Sequence, residues 1–135
     1  MPSSSWALQK AIHVQLSADA GLLAVLGGPR IYDDVPRSPT FPYITYGGST
    51  VRDWSTGSDD GHEHALTLHA WSQGAGRKPV HELLGAVEAA LDQQSLALDG
   101  HRLITLRHEF SDVRREADGE TWHGVLRLRA TTEPL

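Results

Sequence analysis

No cysteine occurs among the 135 residues. Disulfides, a thiolate nucleophile and a cysteine zinc site are therefore excluded, and the composition is compatible with a reducing cytoplasm. Positive charge is also scarce: 12 Lys and Arg stand against 17 Asp and Glu, a formal net charge of −5. That balance speaks against a general nucleic-acid binder, which needs a basic face to displace counterions. No apolar run approaches the roughly 20 residues that span a bilayer. The start, "MPSSSWALQKAIHVQL", has no basic segment leading into a long apolar stretch, so neither a signal peptide nor a membrane partner is expected. Phosphate-cradling glycine motifs are missing too, and Ser3, Ser49 and Ser55 have no G-x-S-x-G setting. Nothing here points to an enzyme.

What remains describes one globular domain spanning residues 1–135, with 39% hydrophobic and 21% charged residues. Ser3, Ser4 and Ser5 can cap a first helix, and Leu8, Ala11, Ile12 and Leu16 recur at helical spacing. Ser17, Ala18 and Asp19 form a second cap signal ahead of "GLLAVLGG", which Gly27, Gly28 and Pro29 end. The region from Trp6 to Leu26 reads as one bent helix or two short ones. Ile31 and Tyr32 can make a short strand. Pro36, Pro39 and Pro42 then remove three amide donors, which forces an extended loop delivering a strand over Tyr43 to Val51. The polar "DWSTGSDDG" that follows reads as a mobile loop.

From His62 to Trp71 the chain alternates, with His64, Leu66, Leu68 and Ala70 on one face and Ala65, Thr67, His69 and Trp71 on the other. "SQGAGRKP" breaks this strand. Val80, Leu83, Leu84, Val87 and Leu91 then mark one buried helical stripe. "LDG" at Leu98 to Gly100 reads as a turn. Ile104, Leu106, His108 and Phe110 alternate with Leu103, Thr105, Arg107 and Glu109. A last strand sets Trp122, Leu126, Leu128 and Ala130 opposite Val125, Arg127 and Arg129, and Asp118-Gly119 supplies the hairpin turn between the two. The expected fold is α+β: a mainly antiparallel sheet of four to five strands with two helices on one face.

Candidate sites are few. His62, His64 and His69 sit on or beside one strand; His62 and His64 share a face and suggest metal co-ligation, but two ligands do not complete a site and the other five histidines are scattered over other elements. Solvated or partly packed histidines are the plainer reading. Asp33, Asp34, Asp53, Asp59 and Asp60 suggest an acid/base pair or a magnesium site only if they converge on a pocket; in polar loops, aspartate normally caps turns. Trp54, Trp71 and Trp122 are each either a core residue or an interface anchor.

"RIYDDVPRSPTFPYITYG", "HALTLHAWSQGAGRKPVHELLGAVEAAL" and "LALDGHRLITLRHEFSDVRREADGETWHGVLRLRATT" follow one another in an order that resembles the tail-completion, or tail-terminator, family of long-tailed phages and gene transfer agents. The marks are "IYDDVP" after the first helical region, the proline-rich approach to a strand, "LTLHAWS" closed by a glycine-basic turn, and the terminal hairpin. The resemblance runs from the first helix to Thr132. It implies a small α+β structural subunit of the virion without catalytic residues or cofactors. Such subunits assemble in the host cytoplasm as a ring of six copies at the head-proximal end of the tail. The ring caps the tail tube, joins it to neck or head-closure proteins, and lets double-stranded DNA pass through its hole.

On that resemblance, the residues expected at interfaces are Tyr32, Asp33, Asp34 and Arg37 in the proline segment. Asp53, Trp54, Asp59 and Asp60 follow in the polar loop, and Arg114, Arg115 and Glu116 at the hairpin tip. The alternatives are another neck or minor tail subunit of head-closure type, and a metal-binding module around His62 and His64.

Overall fold

The computed structural model describes residues 3–74 and 76–135; Ala75, in the "SQGAGRKP" break, lies outside them. Helix α1 (Ser4–Ser17) begins where the Ser3 side chain accepts from the Trp6 amide. Asp19 then caps α2 (Ala20–Leu26) through its bond from the Leu22 amide, and Gly27 closes α2 in the left-handed conformation (φ 78°). The Trp6 to Leu26 region is therefore two helices. The third, α3 (Lys78–Leu91), has Pro79 in its first turn and buries Val80, Leu83, Leu84, Val87, Ala90 and Leu91, the stripe expected of it.

Six strands form one sheet: β1 (Ile31–Tyr32), β2 (Tyr43–Asp53), β3 (His62–Gln73), β4 (Ala97–Leu98), β5 (His101–Arg115) and β6 (Thr121–Pro134), in the order β1-β2-β3-β6-β5-β4. β1 pairs parallel to β2 and every other pairing is antiparallel, so the sheet is mixed. Among the described residues, the expected four to five strands and two helices thus become six and three. The surplus strands, β1 and β4, are only two residues long, too short to display a period of two. Because β6 sits between β3 and β5, those two strands run the same way, and α3 makes the crossover between them.

The three helices and the inner sheet face share one core, from Ala7 and Leu8 through Leu66 and Leu68 to Leu126, Leu128 and Ala130. β3 and β6 keep the predicted alternation, with one face buried. β5 does not. Register shifts between Leu103 and Thr105 and between His108 and Phe110 reverse the inside-outside parity. Leu106 remains buried, but Ile104 and Phe110 are 48% and 42% exposed, and Arg127 lies over the Phe110 ring at 5.3 Å. At Gly124 on β6, an added Cβ would lie 2.9 Å from Val80 Cγ2 and 3.0 Å from Leu84 Cδ1. The bare strand position is what lets α3 sit this close.

Candidate interaction surfaces

Three groups of predicted interface residues fall in three places. The segment after β1 lies beside α1, where the Gln9 Nε2 donates to Asp33 Oδ1 at 3.0 Å. Asp33, Gln9, Lys10, His13, Trp6 and Tyr46 line a shallow pocket of about 320 Å³. His13 Nδ1 and the Tyr46 hydroxyl are 2.9 Å apart, and burial, with the nearby Asp33 charge, raises the Tyr46 pKa. Tyr32 packs its ring 6.0 Å from that of Tyr43, whereas Asp34 and Arg37 are exposed.

The polar loop is tied together internally. Asp53 Oδ1 accepts from the Ser55 amide (3.1 Å) and hydroxyl (2.5 Å), and those bonds hold the Asp53 carboxyl below its ordinary pKa. The Thr56 amide donates to the Asp59 carbonyl at 2.8 Å, and the Gly61 amide donates to Ser55 Oγ at 3.1 Å. The Asp53 carboxylate acts as a turn cap, and Trp54, Asp59 and Asp60 are exposed.

At the hairpin tip, Arg114 pairs with Asp112 (2.8 Å) while Arg115 and Arg77 each stack over Trp122, at 4.6 and 4.7 Å. Glu116 Oε1 accepts from His123 Nδ1 at 2.8 Å. The loop and the tip do not meet. The loop closes the end of the sheet where Asp53, His62 and Thr132 are level, and the tip closes the end where Gln73 and Thr121 pair. From Thr121 to Thr132 along β6 is about 36 Å. The loop with Asp59 and Asp60 and the mixed-charge tip, with Glu116, Asp118 and Glu120 beside Arg114 and Arg115, are therefore presented in opposite directions.

Between them, the outer sheet face carries a strip that sequence reasoning missed. Phe41, Tyr43, Trp71 and His123 follow one another at ring separations of 5.1, 6.2 and 3.9 Å, and the last pair is stacked within 7°. His123 Nε2 lies 2.6 Å from His69 Nδ1, so one proton is shared between the two rings. Burial first, then the His123 and Arg114 charges, lowers the His69 pKa. Gly47 makes room for this ring, since a Cβ there would be 2.4 Å from His69 Nε2. Strand parity placed His69 beside Trp71, but His123 is 54 residues from His69 and only the β3–β6 register brings them together.

The metal hypothesis meets different geometry. His64 is 2% exposed on the core face and its Nε2 bonds Thr132 Oγ1 at 2.9 Å; His62 stands edge-on to it at 6.4 Å. His64 is thus a buried, hydrogen-bonded residue rather than a solvated one. Among the described residues no three His, Asp or Glu side chains converge to hold a metal ion. Of the tryptophans, Trp122 is core, Trp71 half-buried on the outer face, and Trp54 exposed.

Compared with known proteins, residues 10–133 match the family described as tail completion protein gp17. The chain belongs to that family. Tail completion protein gp17 of Bacillus phage SPP1 is 24% identical over 128 residues, covering 95% of this chain and 93% of the relative. A chain in the virion of a native gene transfer agent particle superposes with a TM-score of 0.89 and 30% identity, covering 98% of this chain and 99% of that one. Members of this family are structural components of phage tails, not enzymes. Asp53 serves as a turn cap, and His64, His69 and His123 as packed, hydrogen-bonded groups.

Proposed function

We propose that this chain is a tail terminator: a ring of copies, six by the family resemblance, at the head-proximal end of the tail tube. There it caps the finished tube and presents a second surface to the neck or head-closure protein, while double-stranded DNA passes through the central hole. The ring assembles in the host cytoplasm. The observation that carries this reading is the placement of the 54–61 loop and the 116–120 tip at opposite ends of one continuous sheet. A joining subunit needs two different faces, and closed head-to-tail contacts between copies supply a ring. Asp59 and Asp60 at one end, and Arg114 and Arg115 set among Glu116, Asp118 and Glu120 at the other, give the two ends different charge patterns, which orient docking more than they strengthen it. The net charge of −5 suits a hole that does not retain DNA.

Deleting residues 55–60 leaves the inward-facing core untouched, and reversing Arg114 and Arg115 to glutamate reaches it only where Arg115 covers the Trp122 ring. Electron microscopy of particles carrying either variant is expected to show tails of uncontrolled length or tails that fail to join heads, with circular dichroism confirming folded protein. Normal particles from both variants would remove these two surfaces from the mechanism.

A further inference from the structure

Both edges of the sheet are only half covered. β1 pairs with Ile44 and Thr45 alone, and β4 with His101 and Arg102 alone. On the β5 side, the Gln93 amide donates to the Leu106 carbonyl and Asp92 accepts from the His108 amide, each at 2.8 Å. Beyond those points the outer edges run free among the described residues. The free part of β2 is 49–53, above its register shift, and the free part of β5 is 111–115, below its second shift. Both are exposed apart from Val113, which is half-buried against the core, and Val51 is 45% exposed.

The direction of the backbone groups follows from two bonds. The Trp54 amide donates inward to Gly61 and the Glu116 amide inward to Thr121. By the two-residue period, Ser49, Val51 and Asp53 aim their amides and carbonyls away from β3, as Ser111, Val113 and Arg115 do away from β6. The two free edges lie on opposite sides of the sheet and run in opposite directions. They are complementary halves of an antiparallel ladder, and no single chain can join them.

Resting on the ring reading above, we infer that neighbouring copies join edge to edge, with β2 residues 49–53 of one paired antiparallel to β5 residues 111–115 of the next, and Val51 opposite Val113. In this register Arg52 faces Asp112 on the outer face of the sheet, and the two valines meet on the helix face. A slip of two residues either way is disfavoured by charge: one places Asp53 opposite Glu109 and runs into the β5 irregularity, the other places Arg52 opposite Arg114. Val51 is level, through His64 and Ala130, with Leu106 of its own β5, seven residues from Val113. The resulting offset of about 23 Å between copies is absorbed as strand tilt, the shear that closes any β-barrel. β1 and β4 act as stops that fix it.

The absence of cysteine makes a clean test. Arg52 and Asp112 would form a non-hydrogen-bonded pair with Cα atoms about 4.5 Å apart, within disulfide range. Particles carrying Arg52→Cys with Asp112→Cys, oxidised with oxidised glutathione, are expected to give a ladder of multimers on a non-reducing gel. The ladder should end at the covalent ring, whose mass counts the copies, and collapse under reductant; neither single variant should give it. Particles that show the ring by microscopy yet give no ladder overturn the edge pairing and leave the ring reading standing. Tails with no ring of this protein overturn the ring reading itself. Cross-linking of Arg52→Cys with Arg114→Cys in place of the first pair overturns the register. As a second arm, Arg52→Asp alone should abolish joined particles, and adding Asp112→Arg should restore them; no rescue counts against the charge pair.

Discussion

Leu84→Ala is expected to lower stability by about 3 kcal/mol, and the melting temperature by about 10 °C, measured by thermal unfolding of the purified chain. Leu84 is a buried member of the α3 stripe and its methyl groups close over Gly124 of β6. Truncation removes apolar contact and leaves a void that the sheet cannot collapse into, because Gly124 offers no side chain to move. Gln93→Ala is the control. Its side chain is exposed, and its structural role is the amide bond to Leu106, which alanine keeps. The residue does sit at φ 58°, so a few tenths of a kcal/mol are expected there. Gly124→Leu attacks the same contact from the opposite side by overpacking, at about 1–3 kcal/mol. Equal shifts for Leu84→Ala and Gln93→Ala would show that α3 is not seated on β6.

That contact marks how far the sequence could be read. The α3 stripe was legible because five apolar side chains recur at helical spacing, and β3 and β6 because an uninterrupted period of two admits one burial pattern. β5 resisted for a local reason: two register shifts invert its parity, so Ile104 and Phe110, apolar by sequence, face outward. That the 33–42 segment carries no strand was legible from its prolines, which remove amide donors, but it bends rather than running extended, with Ser38 at φ 102°. Its docking on α1 through Asp33 and Gln9 was not legible, since 24 residues separate them and no periodicity links them.

The interface candidates show the same limit. Composition marked the 54–61 loop and the 116–120 tip as polar, but their placement at opposite ends follows from the insertion of β6 between β3 and β5, a fact of topology. The half-covered edges were invisible for a related reason. They depend on where two-residue strands stop, and nothing in a two-residue strand announces itself. Family membership came through more readily than architecture, because the order of several weak motifs along the chain carries information that no motif holds alone.

His64 carries the last expectation, which is acid sensitivity. Its ring is enclosed on the core face, with Nε2 on Thr132 Oγ1 and His62 and His101 nearby. Burial, reinforced by the His62 and His101 charges, pushes its pKa down from 6.5 to about 4. In the unfolded chain the ring returns to its ordinary value, so below pH 6.5 the unfolded state binds a proton that the folded state refuses. Stability is therefore complete above about pH 6.5 and falls as the pH drops toward 4, by about 2–3 kcal/mol for this one group. The carboxyls of Asp53 and Asp118, held low by their turn bonds, lose their contribution only at more acidic pH, below the ordinary carboxylate value, so the two regimes separate. His64→Gln keeps a hydrogen-bonding side chain of similar reach toward Thr132 but cannot titrate. Urea unfolding of the native chain and this variant at a series of pH values should give curves that converge as the pH falls from 6.5 to 4. The variant starts lower at pH 7.5 because glutamine fills the site less well, and that offset is what shrinks. An offset that stays constant across the window would show that His64 does not titrate with unfolding.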